Sequence, residues 1–259
     1  MPQRILIKIG GRAFEKESGF QELAQAIQSI PDTEIIILHG GGAEISQALN
    51  KQGRETRFID GIRVTQAEDM AIIENVLSET VNQRIATWLT QHGVACQRMS
   101  GLTGQLFLAE PLASPEHAYG FVGRIKQVNG QGVLRALQEG SVPVISPISG
   151  DADHHSYNVN ADDAAAALAA NISCSGLVFI TDVPGVMGSN GICSTLTEQE
   201  VRKFIDSGII QGGMLAKISA AFEALANGVE AVYILKWDGA DTLTDLAAGI
   251  CRSGTVLRR

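Results

Sequence analysis

Residues Ile35 to Leu38 form an aliphatic run that passes through His39 into three consecutive glycines, Gly40 to Gly42, and then into an amphipathic segment, Ala43 to Leu49. A short apolar run closed by glycines and followed by helical spacing predicts a buried strand, a tight turn and a helix start. Glycines let a ligand approach the main chain, and the unpaired N–H groups at a helix N-terminus face negative charge. The stretch therefore suits an anion. It also suits a different task, because His-Gly-Gly-Gly builds oxyanion holes in esterases.

The same rhythm recurs along the chain. Ile5 to Ile9 is an apolar run ending at Gly10-Gly11, which puts Lys8 near the carboxyl end of a strand, where ligands of open α/β sheets collect. Phe20 to Ile30 has helical spacing, with Leu23, Ile27 and Ile30 on one face, and Pro31 stops it. Phe58-Ile59 reads as extended, and Asp60-Gly61 turns the chain into Arg63-Val64-Thr65. Gln66 to His92 is a long helical pattern with room for one break, carrying Ile72, Ile73, Val76, Leu77 and Val81 on its apolar side.

From Val94 to Val128 the pattern changes to short β-like pieces, Ala95 to Met99, Gln105 to Ala109 and Gly120 to Val128, which predict a hairpin-rich insertion on the sheet. Val133 to Glu139 reads as a helix, Val142 to Ile145 as a strand and Asp151 to Tyr157 as a polar loop. Asp162 to Asn171 is an alanine-rich helix, followed by a strand from Leu177 to Ile180. Helices from Glu198 to Ser207 and Met214 to Asn227, a strand from Ala231 to Leu235 and a helix from Asp241 to Ala248 complete the series. This alternation predicts an α/β fold, a three-layer αβα sandwich about a mainly parallel sheet, with residues 1–259 as a single domain. An internal boundary is expected near Ile172, where a second strand and helix series starts.

Composition narrows the function classes. With 259 residues, 45% of them hydrophobic, the chain can bury one large core or two adjacent ones. A formal charge of -8 and the lack of any Lys/Arg run argue against nucleic acid as a partner. The apolar runs fall far short of the roughly 20 residues that span a bilayer. Met1 to Gly10 does not read as a signal peptide, since Arg4 is followed by only a short apolar stretch that Lys8 interrupts. A soluble cytoplasmic protein is expected. Cys96, Cys174, Cys193 and Cys251 are scattered, with no C-x-x-C pair, and read as free thiols; His154 and His155 read as a surface turn without a third metal ligand.

Several residues are placed for chemistry. Asn158, Asn160 and Asp162 are spaced by two, so in extended chain they share a side and can converge on one ligand. Asp162 also reads as the N-cap of the alanine-rich helix, a role compatible with holding a lysine. Arg63 offers a planar fork for a carboxylate. His39 reads as a residue that orients the glycine turn. Gly212-Gly213 precede Met214 to Lys217, which puts Lys217 one turn into a helix, where the dipole disfavours a cation unless it faces an anion. There is no G-x-x-x-x-G-K-[ST], so no ordinary P-loop, and no G-x-S-x-G, which removes the esterase reading.

Lys8-Ile-Gly-Gly11, His39-Gly-Gly-Gly42, Gly61-Ile-Arg-Val-Thr65, Asn158-Val-Asn-Ala-Asp162, Thr181-Asp-Val-Pro-Gly185 and Gly212-Gly-Met-Leu-Ala-Lys217 stand in this order along the chain. Together they resemble the amino acid kinase family, and within it the short bacterial branch that phosphorylates N-acetyl-L-glutamate. The resemblance covers nearly the whole chain, down to Gly254-Thr255. It departs from the usual pattern at Arg12, at Gln66 and in Met99 to Gly104.

The resemblance implies ATP-dependent phosphorylation of a side-chain carboxylate, with N-acetyl-L-glutamate as acceptor, or N-succinylglutamate or an aminoadipate derivative. A silent nucleotide or amino acid binding protein on the same fold is the alternative from another class. By this resemblance Lys8 and Lys217 neutralise the transferring phosphoryl group and Asp162 holds both ammoniums. Gly10, Gly11 and Gly41 donate N–H bonds to phosphate oxygens, while Gly41, Gly42, Arg63, Asn158 and Asn160 bind the acceptor. The nucleotide segments are Asp182, Val183, Pro184, Gly185, Val186 and Met187, then Ile209, Ile210 and Gln211, with Gly213 and Met214. The N-terminal lobe, about 1–171, takes the acceptor, and the C-terminal lobe, about 172–259, takes ATP. No protein metal ligands are implied, since Mg²⁺ is held mainly by the ATP phosphates. The chain starts almost at its first strand, without the N-terminal helix of arginine-inhibited hexamers, so an arginine-insensitive homodimer is expected.

Overall fold

The computed structural model describes residues 2–10, 14, 16–59, 61–188 and 191–259. The first half opens with β1 (Gln3–Ile9), α1 (Glu17–Gln28), β2 (Thr33–His39) and α2 (Gly42–Lys51), then a small hairpin of β3 (Phe58–Ile59) and β4 (Ile62–Arg63). A long helical stretch follows, built from α3 (Ala67–Glu74), a π-helical segment (Asn75–Val81) and α4 (Asn82–Gln91). Next come β5 (Cys96–Ser100), β6 (Phe107–Pro111), β7 (Val122–Val128), α5 (Gln131–Gln138), β8 (Val142–Ser146), β9 (Ser149–Gly150), β10 (Ser156–Val159) and α6 (Ala161–Asn171). The second half contains β11 (Gly176–Thr181), β12 (Met187–Gly188), β13 (Gly191–Ile192), β14 (Thr195–Leu196), α7 (Glu198–Asp206), α8 (Gly213–Ala226), β15 (Ala231–Lys236), α9 (Asp241–Ala247) and β16 (Thr255–Leu257).

The central sheet has eight strands in the order β14-β16-β15-β11-β1-β2-β8-β5. From β15 to β5 neighbouring strands are parallel, and β16 reverses direction against β15. Strands covered on both faces read as unbroken apolar runs, and the last five residues of both β1 and β2 are buried. The alternation of a strand sorts them into two cores. Leu6, Ile36, Leu38 and Phe179 pack with α6 and α8 on one face. Ile5, Ile7, Ile35 and Ile37 pack with α1 and the long helical stretch on the other. The three-layer α/β sandwich is the observed fold.

Two expectations change. The piece near Ala95 to Met99 belongs to no insertion; as β5 it pairs with β8 and forms an edge of the main sheet. Only the later pieces leave the sheet, where β6, β7, β9 and β10 close a small barrel. The break in the long helix is a π segment that keeps the chain helical while shifting its face, a device common at functional sites. The polar loop is shorter than expected, since Ser156 and Tyr157 already pair with β9.

Candidate active site

The period of β1 decides where its lysine points. Lys8 shares a face with Leu6 and stands in register with Phe179 of β11, so its side chain reaches toward the N-termini of α6 and α8. Asn160, not Asp162, caps α6: its side chain accepts the Asp162 N–H at 2.8 Å. Asp162 is thereby freed to face β1. Lys8 Nζ lies 2.7 Å from Asp162 Oδ1, and Lys217 Nζ donates to Asp162 Oδ2 at 2.9 Å. Lys217, in the first turns of α8, also sits 4.8 Å over the Phe179 ring.

All three groups are nearly closed to solvent, at 7% exposure for Lys8 and 8% for Asp162 and Lys217. Burial alone would raise the Asp162 carboxyl, but the two ammoniums outweigh it and hold the group down at about 2. For Lys217, burial and then the repulsion of Lys8 lower its affinity for a proton, against the pull of Asp162. Buried charges are costly unless paired; each ammonium here is paired with one Asp162 oxygen, and Asp163 and Asp182 add negative charge nearby, so two ammoniums are held side by side on a single carboxylate.

The cleft beside it measures about 220 Å³ and is lined by Lys8, Gly41, Gly42, Phe58, Arg63 and Asn158, among others. Arg63 is buried and already anchored, donating to Gly42 O at 2.7 Å and Ser46 Oγ at 3.0 Å while its guanidinium lies 4.7 Å over the Phe58 ring. Its Nη1 donates to Thr56 Oγ1 at 3.3 Å, so the guanidinium lines the cleft in a fixed pose. Asn158 Nδ2 donates to Thr65 Oγ1, which orients the amide. The N–H groups of Gly41 and Gly42 have no acceptor among the described residues. Gly41 caps α2, and a Cβ there would stand 2.7 Å from Leu77 of the π segment.

Gly10 serves differently from expectation. Its N–H already donates to Ile180 O at 3.2 Å, continuing the β1–β11 ladder. What it supplies is space, since a Cβ at Gly10 would fall 2.5 Å from Lys8 Nζ. Gly11 and Arg12 lie outside the described residues. His39 is on the opposite face from Lys8, 1% exposed, and burial holds its ring neutral with a pKa lowered to about 4. Its Nδ1 hydrogen-bonds Gly40 O at 2.9 Å, so it orients the glycine turn, as the sequence suggests.

The segments expected to take the nucleotide lie in the second half of the chain, after β11 and up to the start of α8. Asp182 to Val186 follow β11, and Ile209 to Gln211 link α7 to α8. Val183, Met187 and Ile209 expose much of their apolar side chains. Val186 and Ile210 are buried in the core, so they offer a ligand only their main chain. Gly213 and Met214 open α8, two steps from the loop holding Gln211. Elsewhere, Asp151, Asp153 and His155 come within 4.8 Å of one another, a grouping the sequence did not reveal. Asp151 already accepts bonds from the Asp153 and His155 main chain, from His155 Nδ1 and from Tyr157, which folds the turn between β9 and β10.

The sequence profile of the amino acid kinase family matches residues 3–236. The acetylglutamate kinase of Geobacillus stearothermophilus is 37% identical over 236 residues, covering 91% of this chain and 90% of that protein. The acetylglutamate kinase of Brevibacillus brevis is 37% identical over 265 residues, covering 98% and 96%. Among solved structures, smu.665 from Streptococcus mutans UA159 aligns over 100% of this chain and 99% of its own, with a TM-score of 0.85 and 27% identity. N-acetylglutamate synthase from Neisseria gonorrhoeae shares the fold, with a TM-score of 0.81 at 22% identity over 60% of its chain.

Proposed function

The chain belongs to the amino acid kinase family, and from that premise we propose that it is an acetylglutamate kinase. It transfers the γ-phosphoryl group of ATP to the side-chain carboxylate of N-acetyl-L-glutamate, a step of arginine biosynthesis. The observation that carries this reading is the buried Lys8–Asp162–Lys217 cluster, two ammoniums held on one carboxylate, with Lys8 lining the cleft. Relatives of like length with that name support it.

The chemistry needs little from the protein beyond position and charge. A carboxylate with a pKa of about 4.3 is ionised at neutral pH, so the nucleophile requires no general base. In the reading proposed here, Arg63, Asn158 and the Gly42 amide hold the acceptor so that its side-chain carboxylate faces the phosphorus in line. Lys8 and Lys217 then neutralise charge that spreads over the transferring oxygens, and the Gly41 N–H supplies a fixed donor. Asp162 keeps the two ammoniums apart and aimed. The bond that forms joins a carboxylate oxygen to phosphorus, the bond that breaks joins phosphorus to the bridging oxygen of ADP, and no proton moves.

Both Asp162 oxygens are taken by lysines, which fits a Mg²⁺ held by nucleotide phosphates and water and not by a protein carboxylate cage. When bound it adds charge neutralisation on the phosphates. We assign acceptor binding to residues up to about 171 and ATP binding to those after, with adenine on the apolar surface of Val183, Met187 and Ile209. A homodimer working in the cytoplasm completes the reading; no helix among the described residues is long and apolar enough to cross a membrane.

Trapping the acyl phosphate with hydroxylamine tests the proposal. With ATP, acetylglutamate should give hydroxamate faster than succinylglutamate or unmodified glutamate. No hydroxamate from any of the three would favour a silent binding protein, and a preference for another acyl group would reassign the acceptor.

A further inference from the structure

The glycine turn has a second support, on the face of the sheet away from the lysines. Asn82 is the first residue of α4, directly after the π segment, and is 1% exposed. Arg98 Nε, which can only donate, bonds Asn82 Oδ1 at 3.0 Å. Asn82 Nδ2 lies 2.8 Å from Val144 O and 3.2 Å from Met99 O, both pure acceptors, and 3.1 Å from His39 Nε2. These partners fix which amide atom is nitrogen. The two hydrogens of Nδ2 are shared among these three acceptors, and the amide nitrogen cannot accept, so Nε2 is favoured without a hydrogen; the Gly40 carbonyl, itself a pure acceptor, calls for the same Nδ1–H tautomer.

The carbonyl of Gly40 and the N–H of Gly41 belong to one planar peptide and point in opposite directions when it is trans; the chain contains no cis peptide among the described residues. Holding the carbonyl toward His39 turns the Gly41 N–H away from that face. We propose that Asn82, acting through His39, is a positioning residue for phosphoryl transfer: it selects the Nδ1–H tautomer and so aims the Gly41 N–H into the cleft. This rests on the reading of the preceding subsection, in which that N–H meets the transferring group.

Replacing Asn82 by aspartate gives a sharp test, because a carboxylate can only accept and therefore demands a hydrogen on Nε2. While the ring of Asn82→Asp carries both hydrogens, Gly40 stays bonded and turnover is kept. Once the ring loses one, the remaining hydrogen sits on Nε2 and the Nδ1 lone pair repels Gly40 O. The ring feels the charges of Glu44 of α2 and Arg84 of α4 and, from across the sheet, of Lys8 of β1, with Arg98 of β5 bonded to the side chain at position 82. They set where the ring titrates, not which nitrogen the variant favours.

The experiment uses the full chain with ¹⁵N-labelled histidine, following ring and Gly41 amide signals by NMR and kcat across neutral and mildly alkaline pH. Wild type should keep the Nδ1–H form and show no loss of kcat tied to the ring. Asn82→Asp should lose about a hundredfold in kcat as pH rises, in step with the ring signal and with a shifted Gly41 amide. Asn82→Leu, which fills the same space without a donor, guards against misfolding of the aspartate variant. It should lower kcat about tenfold at every pH while leaving KM for ATP unchanged. A ring that stays Nδ1–H in Asn82→Asp, or wild-type turnover in Asn82→Leu, overturns the proposal. The NMR signals need no turnover, so a wild type that makes no acyl phosphate would sink the kinase reading alone.

Discussion

Two buried polar groups lie on opposite faces of the sheet beside the glycine turn after β2, and the two are built from opposite chemistry. On the α6 and α8 face, Lys8, Asp162 and Lys217 are charged, buried and joined by ion pairs of 2.7 and 2.9 Å. On the other, His39 and Asn82 are equally buried but neutral, linked by directional hydrogen bonds. The charged face gathers two ammoniums on one carboxylate, the grouping that a transferring phosphoryl group calls for. The neutral face is complete in itself. The difference separates two needs of phosphoryl transfer, charge compensation and aim, and assigns each to its own layer of the sandwich.

If that separation is right, damage to the charged face should act through charge. Asp162→Ala is the largest case, since it leaves two buried ammoniums against each other. Turnover should fall about a thousandfold, and urea unfolding should show a loss of about 3–5 kcal/mol, the scale of breaking a buried pair. Asp162→Asn, which preserves shape and can still serve the helix start, should not restore turnover; if it does, Asp162 is a helix residue and no more.

A smaller perturbation moves one charge without removing it. Gly10→Ala places a methyl group 2.5 Å from the present position of Lys8 Nζ. Steady-state assays should show turnover about tenfold lower, as expected of a displaced group, with little change in the unfolding midpoint. Unchanged turnover would mean that the ammonium need not sit where it does.

The smallest effect titrates the charged face while leaving its lysines alone. Asp163 is partly buried beside Asp162 and Glu223, and burial, then those like charges, raise its carboxyl from 3.8 to about 6. Between those values the folded chain binds more protons than the unfolded one, so this group favours folding at low pH and opposes it as pH rises through the window. Asp163→Asn should therefore stabilise the protein above about pH 6, with no gain below about 3.8. After screening, the gain is on the order of 1 kcal/mol. Unfolding curves at both ends of the window would show it, and an equal effect at both would refute it.

Much of this site was legible in the sequence because its residues stand at punctuation points. Lys8 and His39 end apolar runs beside glycines, and Lys217 follows a glycine pair at a helix start. Period alone places Lys8 and His39 on the faces they occupy. What was not legible depends on tertiary pairing. β5 carries Gln97 and Arg98 and reads as an insertion until β8 claims it as an edge. β9 has only Ser149 and Gly150, and β16 is three residues running antiparallel to β15, too short to leave a periodic mark. The cap of α6 fell to Asn160 because Asp162 is drawn to two lysines that no local rule sees. Asn82 is one polar residue in a long helical pattern, and only the π segment and the strand ends around it reveal its partners.

The central claim is that the buried ammoniums act on the transferring group and not merely on binding or folding. Single-turnover phosphoryl transfer by Lys217→Ala, with acceptor and nucleotide affinities measured on the same protein, tests it most directly. The account predicts a rate at least about a hundredfold below wild type, the scale of losing one preorganised charge contact, with the acceptor bound within a few-fold of its normal affinity. A near wild-type rate, or a loss explained wholly by weaker binding, would contradict it.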